Sequence, residues 1–224
     1  MGVHTYAALA ETITKRPARL GPVRLVAVDG PAGSGKTTFA RRLSAALRAD
    51  GVRVAEVHTD DLLEGWADIV SFWPRLEAWI LDPLRRGQDA AYRSYDWHTS
   101  RFRTEWTMVE RPDTLVLEGV TTARAAVRAE LTLGVFMVAD RDLRLARGIA
   151  RDGEALRPHW LRWMADEDAH FALDRTGDHV DVLVDGAPAA AHDPETEFVS
   201  AATWVDGGAS LGDDPGKTER GGLP

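Results

Sequence analysis

Apolar and polar positions along this chain follow two different periods, one typical of strands and one typical of helices. Short, continuous apolar runs predict buried strands at residues 23–29, 52–58, 114–117, 133–139 and 179–184. Apolar residues recur at helical spacing at 3–16, 38–49, 66–86, 123–130, 140–152 and 158–173. Strands that alternate with helices are typical of a parallel sheet covered on both faces. The pattern therefore predicts a three-layer α/β/α fold with a mostly parallel, five-stranded sheet.

The first predicted strand leads into a glycine-rich loop that matches the phosphate-binding pattern G-x-x-x-x-G-K-[ST] at every fixed position. Backbone N–H groups of such a loop, at the start of a helix, form a nest for phosphate oxygens. The lysine brings a positive charge to the β- and γ-phosphates, and the threonine hydroxyl is placed to ligate Mg²⁺. We therefore expect ATP and Mg²⁺ to bind here. The expected nucleotide contacts are Gly30, Ala32, Gly33, Ser34, Gly35, Lys36, Thr37 and Thr38.

Acidic residues follow two of the predicted strands, where ligands gather in parallel α/β sheets. Asp60 is the nearer acid to its strand, and we expect it to accept a proton from a substrate hydroxyl. Asp61 is expected to cap the next helix or to contribute to the substrate-binding site from behind the residues that contact the substrate. Glu118 ends a buried strand, so a water-mediated Mg²⁺ contact beside Thr37 is a natural use for its charge. Pairing of Glu118 with a structural arginine is the alternative.

Two further stretches are rich in side chains that bind anions or stack on flat groups. Residues 91–101 predict a hairpin that faces the substrate, with candidate contacts at Tyr92, Tyr95, His98 and Arg101. In the helix predicted at 140–152, Arg144, Arg147 and Arg151 are spaced to share one face. Three guanidinium groups on one face are stabilised by anions such as the phosphates of ATP. A solvated face paired with nearby aspartates is the alternative.

Taken together, these segments resemble the uridine kinase and nicotinamide riboside kinase group of phosphate-loop kinases, over roughly residues 20–186. The resemblance lies in residues 30–38, 58–63, 95–96, 117–119 and 144–152. It implies that the strand-end Asp60 is the general base, that Glu118 helps to hold Mg²⁺, and that Arg147 and Arg151 form part of a short helical lid over the phosphates.

The chain also departs from that family's pattern. Gly148 stands where a second lid arginine is frequent, and Ser100 stands where a nucleoside-binding histidine is expected, with His98 two positions earlier. The resemblance therefore supports the phosphate machinery more strongly than it supports uridine as the acceptor.

Composition sets the remaining expectations. The 224 residues are 44% hydrophobic and include no cysteine, which excludes disulfides and thiolate metal sites. No secretory signal or membrane-length apolar run is present, so a cytoplasmic protein without membrane partners is expected. The formal net charge of −8 argues against nucleic-acid binding.

We expect a kinase domain at 1–186, with 1–19 as a helix packed on it, and a disordered acidic tail at 187–224. The sequence leaves homo-oligomerisation open.

The sequence thus predicts an enzyme that transfers the γ-phosphate of ATP to a hydroxyl group of a small molecule, most simply a nucleoside. One alternative is a nucleoside monophosphate kinase, which needs arginines on the acceptor side; Arg93, Arg101 and Arg103 keep it open. The other is a nucleotide-dependent ATPase or switch protein that has no small-molecule acceptor.

Overall fold

A seven-stranded sheet runs through the structure, which is a computed structural model and describes residues 1–202. In chain order the strands are β1 (Gly2–Thr5), β2 (Arg24–Asp29), β3 (Val54–His58), β4 (Ala90–Tyr92), β5 (Tyr95–Asp96), β6 (Arg101–Phe102), β7 (Thr107–Val109), β8 (Thr114–Glu118), β9 (Leu131–Val138), β10 (Val182–Asp185) and β11 (Glu197–Ser200). The helices are α1 (Tyr6–Lys15), α2 (Lys36–Ala49), α3 (Trp73–Leu76), α4 (Asp82–Arg85), α5 (Arg141–Asp152) and α6 (Arg157–Asp174).

The order of strands in the sheet is β1-β11-β10-β9-β2-β8-β3. The five central strands β10, β9, β2, β8 and β3 pair in parallel, and they correspond to the five strands that the sequence predicts. The prediction of a five-stranded sheet is wrong in number, because β11 pairs antiparallel with β10 and β1 pairs antiparallel with β11. These two added strands are each four residues long and come from distant parts of the chain.

The N- and C-terminal expectations change accordingly. The helix predicted at 3–16 begins only at Tyr6, because residues 2–5 form β1. The disordered tail predicted at 187–224 is wrong for residues 197–200, which form β11. Residues 187–196 lie in the connection between β10 and β11, and residues 203–224 lie outside the described residues.

Apolar side chains cover both faces of the sheet. Along β2, Leu25 and Ala27 face one core, whereas Val26 and Val28 face the other. Leucines and isoleucines of α3, α4 and the π-helical turn Glu77–Leu81 between them fill the first core. α1 and α2 fill the second core. The alternation along a fully buried strand is the period-2 signature of a sheet enclosed between two helical layers.

The region 66–86, for which the sequence predicts one or two helices, is helical over a shorter range than expected. Helical backbone begins at Trp73, and Pro74 and Pro83 occupy the first turns of α3 and α4, where a missing N–H is tolerated. The preceding residues form turns, and these bring Trp66 towards the carboxyl edge of the sheet. Within residues 1–202, no helix combines the length and the apolar content that crossing a bilayer requires.

Candidate active site

The glycine-rich loop connects β2 to α2 at the carboxyl edge of the sheet. Gly30, Gly33 and Gly35 have φ angles of 130°, 80° and 100°, a region that side chains with a Cβ rarely adopt. These turns bring the chain to the first turn of α2, which begins at Lys36. Lys36 is only 6% exposed, and its Nζ donates a hydrogen bond to the Pro31 carbonyl oxygen at 3.2 Å. The backbone and the lysine therefore have the arrangement of a phosphate nest at a helix N-terminus.

A buried aspartate anchors this loop from beneath. Asp29, the last residue of β2, is fully buried and accepts hydrogen bonds from the N–H groups of Gly30, Thr121 and Ala123 at 2.6, 2.8 and 2.8 Å. Burial raises the pKa of Asp29 to about 6, although the three N–H groups and Lys36 counteract the rise. Asp29 therefore ties the start of the phosphate loop to the loop that follows β8.

Thr37 and Glu118 meet beside the loop, as the sequence predicts. Thr37 Oγ1 donates to Glu118 Oε2 at 3.2 Å, and His58 Nδ1 lies 2.6 Å from the same oxygen. His58 Nε2 lies 3.3 Å from Glu56 Oε1. The hydrogen bonds to Glu118 and Glu56 raise the pKa of His58 to about 10, so that this side chain is cationic at neutral pH. Glu118 is thus paired with a histidine and a threonine. The structural arginine that the sequence left open as an alternative partner is not the one observed.

This pair of oxygen donors fits Mg²⁺. A threonine hydroxyl and a carboxylate are hard oxygen ligands, and Mg²⁺ in phosphate sites commonly uses one or two protein ligands together with water and phosphate oxygens. No cluster of three or more potential metal-binding side chains occurs in residues 1–202. Any Mg²⁺ held here would therefore depend on the phosphates for the rest of its coordination.

Asp60 and Asp61 follow β3 and have different surroundings. The Asp60 carboxyl borders the cleft described below. The surrounding protein removes water from around this carboxyl and so raises its pKa, and the negative charge of Glu118 raises the pKa further. The charges of Lys36 and Arg151 act in the opposite direction. Asp61 is half-buried and accepts a hydrogen bond from Tyr92 Oη at 3.2 Å. Both aspartates line the cleft, and Asp60 is the more exposed of the two.

The three arginines of α5 that the sequence places on one face do not share one role. Arg147 donates to the carbonyl oxygens of Gly33 and Gly186 at 3.0 and 3.1 Å. Arg151 makes two hydrogen bonds to the Asp152 carboxylate, at 2.8 and 3.0 Å. Arg144 is buried and forms an ion pair with Glu167 of α6, so the expectation that it faces phosphates is wrong. Only Arg147 and Arg151 reach the cleft.

One deep cleft of about 1390 Å³ contains the phosphate loop, Asp60 and the two accessible arginines. Its wall also includes residues 185–188 and 197–199. Next to Asp60 the wall is aromatic and consists of Trp66, Trp97, Trp160 and Trp163. The ring centre of Trp66 lies 5.7, 6.1 and 5.9 Å from those of Trp97, Trp160 and Trp163 respectively. The cleft therefore has a phosphate centre and an indole-lined end.

The predicted hairpin forms, but only its tip reaches this cleft. His98 lines the wall next to Trp97, whose Nε1 donates to the Asp60 carbonyl oxygen at 3.3 Å. Tyr95 is buried behind the wall and packs against Trp97. Tyr92 lines a separate open groove of about 540 Å³, and Arg101 is exposed outside the cleft. Of the predicted substrate contacts, Asp61 and His98 line the cleft, whereas the other three do not.

The glycine that replaces a second lid arginine has a packing explanation. A Cβ at position 148 would lie 2.4 Å from the indole ring of Trp160. Gly148 is buried, and this close approach lets the indole lie directly against α5. Trp160 Nε1 also donates to Asp152 Oδ2 at 3.0 Å. The departure from the family pattern therefore accommodates part of the indole wall.

Two residues of the site were not identified as functional from the sequence. Glu167 is fully buried, and its Oε2 accepts the Ala32 N–H of the phosphate loop at 2.8 Å. Burial raises the pKa of Glu167, while the Ala32 N–H and the charges of Lys36 and Arg144 lower it. The sequence could have indicated that Glu167 is buried, because it lies on the apolar stripe of α6, three residues after Met164. For His58 the local signal was limited to Glu56, two residues earlier on the same strand, because Glu118 is brought to it only by the pairing of β3 with β8.

Comparisons with known proteins agree with this geometry. Residues 26–171 match the family model described as AAA domain, which covers more than half of the chain. The chain belongs to the AAA domain family. Among solved structures, this AAA-domain protein is similar to a uridine kinase candidate from Bacillus stearothermophilus, with a TM-score of 0.61 and 20% identity over 80% of this chain and 96% of that chain. No curated protein matches its sequence.

A second similar structure is a fructose transport system kinase candidate from Silicibacter sp. TM1040. It has a TM-score of 0.50 and 21% identity, and the match covers 78% of this chain and 91% of that chain. At these identities the likeness concerns the fold alone. The predicted three-layer fold and its resemblance to the uridine kinase-like group of P-loop proteins are confirmed at that level.

Proposed function

We propose that this protein is an ATP-dependent kinase that transfers the γ-phosphate to a hydroxyl group of a small molecule, with nucleosides as the first acceptor class. The observation that carries the proposal is that one cleft contains Lys36, the Thr37–Glu118 pair and Asp60. Phosphoryl transfer depends mainly on positioning and on neutralising charge. This cleft offers positive groups and backbone donors on one side of a carboxylate that can act as a base.

On the phosphate side, the loop N–H groups and Lys36 hold the β- and γ-phosphates. Thr37 and Glu118 would hold Mg²⁺, which neutralises negative charge on the phosphate oxygens when it is bound. The cationic His58 fixes the orientation of Glu118 through the short contact to Oε2. Arg147 and Arg151 stabilise the transferring group from the lid, once they exchange their present partners for phosphate oxygens.

On the acceptor side, Asp60 accepts the proton of the substrate hydroxyl. That hydroxyl oxygen forms a bond to the γ-phosphorus while the bond to the bridging oxygen of ADP breaks, and ADP leaves with the electron pair. The raised pKa of Asp60 makes its carboxylate a better proton acceptor than that of an ordinary aspartate. The indole wall beyond Asp60 suits an acceptor with a flat apolar group.

The alternative of a nucleoside monophosphate kinase is less well supported. An acceptor phosphate needs arginines beyond Asp60, but Arg93, Arg101 and Arg103 do not line the cleft within the described residues. Arg93 lies over the ring of Trp106, 4.6 Å from its centre. If the protein were an ATPase or switch without a small-molecule acceptor, the indole wall would have no ligand to bind. We therefore favour a hydroxyl acceptor that carries no phosphate.

The proposal is tested by measuring ADP release in a coupled assay with nucleosides, nucleoside monophosphates, vitamins and sugars as acceptors. We expect one class of hydroxyl compound to stimulate ADP release, and we expect Lys36→Ala to abolish the stimulation. Stimulation by monophosphates alone would support the first alternative. Slow release that no compound changes would support an ATPase or switch.

A further inference from the structure

Glu167 forms a direct link between the lid helices, α5 and α6, and the phosphate loop. Its Oε1 accepts a hydrogen bond from Arg144 Nη1 at 2.6 Å, and its Oε2 accepts the Ala32 N–H at 2.8 Å. Glu167 has no exposed surface, and Arg144 is 5% exposed. The carboxylate thus contacts one residue of α5 and one residue of the glycine-rich loop, and it does so in the protein interior.

Both partners of this carboxylate stabilise its ionised form. A guanidinium group and a backbone N–H can only donate hydrogen bonds, so each oxygen of Glu167 acts as an acceptor. Burying an ionised carboxylate is costly unless its oxygens are matched in this way, and removing one partner leaves the other unpaired. The position of the Ala32 amide is therefore coupled to an intact Arg144–Glu167 pair.

Joining the two helices does not by itself require a buried pair. Arg141 and Asp168 form another ion pair between α5 and α6, and their side chains are 47% and 50% exposed. That pair makes no contact with the phosphate loop among the described hydrogen bonds. The distinctive feature of Glu167 is thus its bond to the loop amide.

The lid helices also contact the next residue of the loop. A Cβ at Gly33 would lie 2.7 Å from the Arg144 carbonyl oxygen, which shows how closely the loop approaches α5. Arg147 donates to the Gly33 carbonyl oxygen at 3.0 Å. Residues 32 and 33 are therefore fixed from the α5–α6 side.

We propose that Glu167 is a positioning residue for nucleotide binding, which fixes the Ala32 amide and with it the shape of the phosphate nest. The inference rests on the proposed function in one respect, since it takes the loop as the nucleotide site. It does not depend on the identity of the acceptor. Glu167 acts through the loop backbone, and it does not itself touch the phosphates.

The test is calorimetric titration of the full chain with Mg-ATP, without an acceptor, together with a thermal melt of each variant. We expect Glu167→Gln to raise the Kd about tenfold, because its single amide oxygen turns towards the charged Arg144 and leaves the amide N–H₂ facing the Ala32 N–H, donor against donor. The double variant Glu167→Gln with Arg144→Met should recover most of the affinity, because it removes the opposing donor and keeps an oxygen for Ala32. Asp168→Asn is the matched control and should bind Mg-ATP as the wild type does.

The outcomes separate positioning from simple helix packing. If Glu167→Gln lowers the melting temperature but binds Mg-ATP with wild-type affinity, the residue only joins α5 to α6 and the inference is overturned. If Glu167→Gln does not fold, the double variant decides: wild-type-like affinity supports the inference, and affinity weakened about tenfold overturns it. If the wild type itself binds no Mg-ATP, the proposed nucleotide site fails as well. Binding without acceptor turnover would contradict the proposed function alone.

Discussion

The two ends of the cleft are assembled in different ways. The phosphate end uses nine consecutive residues, 30–38, and its donors are mainly backbone N–H groups on a rigid strand and helix. The acceptor end uses side chains from three separate segments, around residues 60–66, 97–98 and 156–163. The first end is built on a contiguous motif, which Glu118 and Glu167 support from distant parts of the chain, whereas the second end has no contiguous motif and depends entirely on tertiary packing. This difference suggests that nucleotide binding and acceptor binding can be altered independently.

Asp60 lies at the boundary between the two ends, and its substitution should have the largest effect. We expect Asp60→Asn to lower kcat by about 10²–10⁴-fold, because the amide cannot accept the hydroxyl proton. The Kd for Mg-ATP should change little, as measured by calorimetry beside steady-state kinetics. Asp50→Asn, at an exposed position after α2, is the charge-matched control. Normal turnover by Asp60→Asn with its true acceptor would show that the base has been misassigned.

Lys36→Ala tests the phosphate end alone. It should lower kcat/KM for ATP by about 10²–10³-fold, because a buried positive charge beside the phosphates is lost. The fold should remain intact, as checked by circular dichroism and thermal melting. Lys15, which is exposed and paired with Glu11 on α1, provides the control Lys15→Ala. Equal activities of the two variants would contradict the assignment of the loop.

Gly148→Ala tests how the lid supports the acceptor end. The new methyl group would overlap the indole of Trp160, so we expect a loss of about 1–3 kcal/mol in the free energy of unfolding. The acceptor KM should rise while the Kd for Mg-ATP changes less. Ala150→Ser on the exposed face of the same helix is the control. A similar loss of affinity for both ligands would mean that the two ends are not separable here.

Trp97→Ala should have the smallest effect, and it falls on the acceptor end only. Trp97 is 39% exposed and lines the cleft, so losing its ring should raise the acceptor KM by about 3–10-fold. Trp106, which is 47% exposed and lies outside the cleft, gives the matched control Trp106→Ala. An unchanged acceptor KM would remove the hairpin tip from the binding site.

The same contrast explains which features the sequence predicts. The central strands and the phosphate loop follow from local apolar runs and a contiguous motif, and the structure has them. β1 and β11 could not be predicted, because each is only four residues long and the partner of β1 lies almost a full chain length away. Glu118 and Asp60 could be placed at the carboxyl edge because a strand-end position is itself a sequence feature.

Side-chain partnerships were harder to predict than positions. Helical spacing puts Arg144 on the same face as Arg147, yet only packing against α6 reveals that Glu167 neutralises it. The hairpin could be recognised from its composition, but which residues point into the cleft depends on how it folds back. Trp97 and His98 reach the wall from its tip, whereas Tyr95 packs behind them.

The central claim is that this cleft transfers a phosphoryl group from ATP to a hydroxyl acceptor. It is tested most directly by phosphorus NMR of the protein with Mg-ATP and each acceptor class, beside Lys36→Ala. The account predicts a phosphate-ester signal that appears with one acceptor class as ADP forms, and that the variant does not produce. Formation of inorganic phosphate alone, at the same rate with every compound, would contradict it.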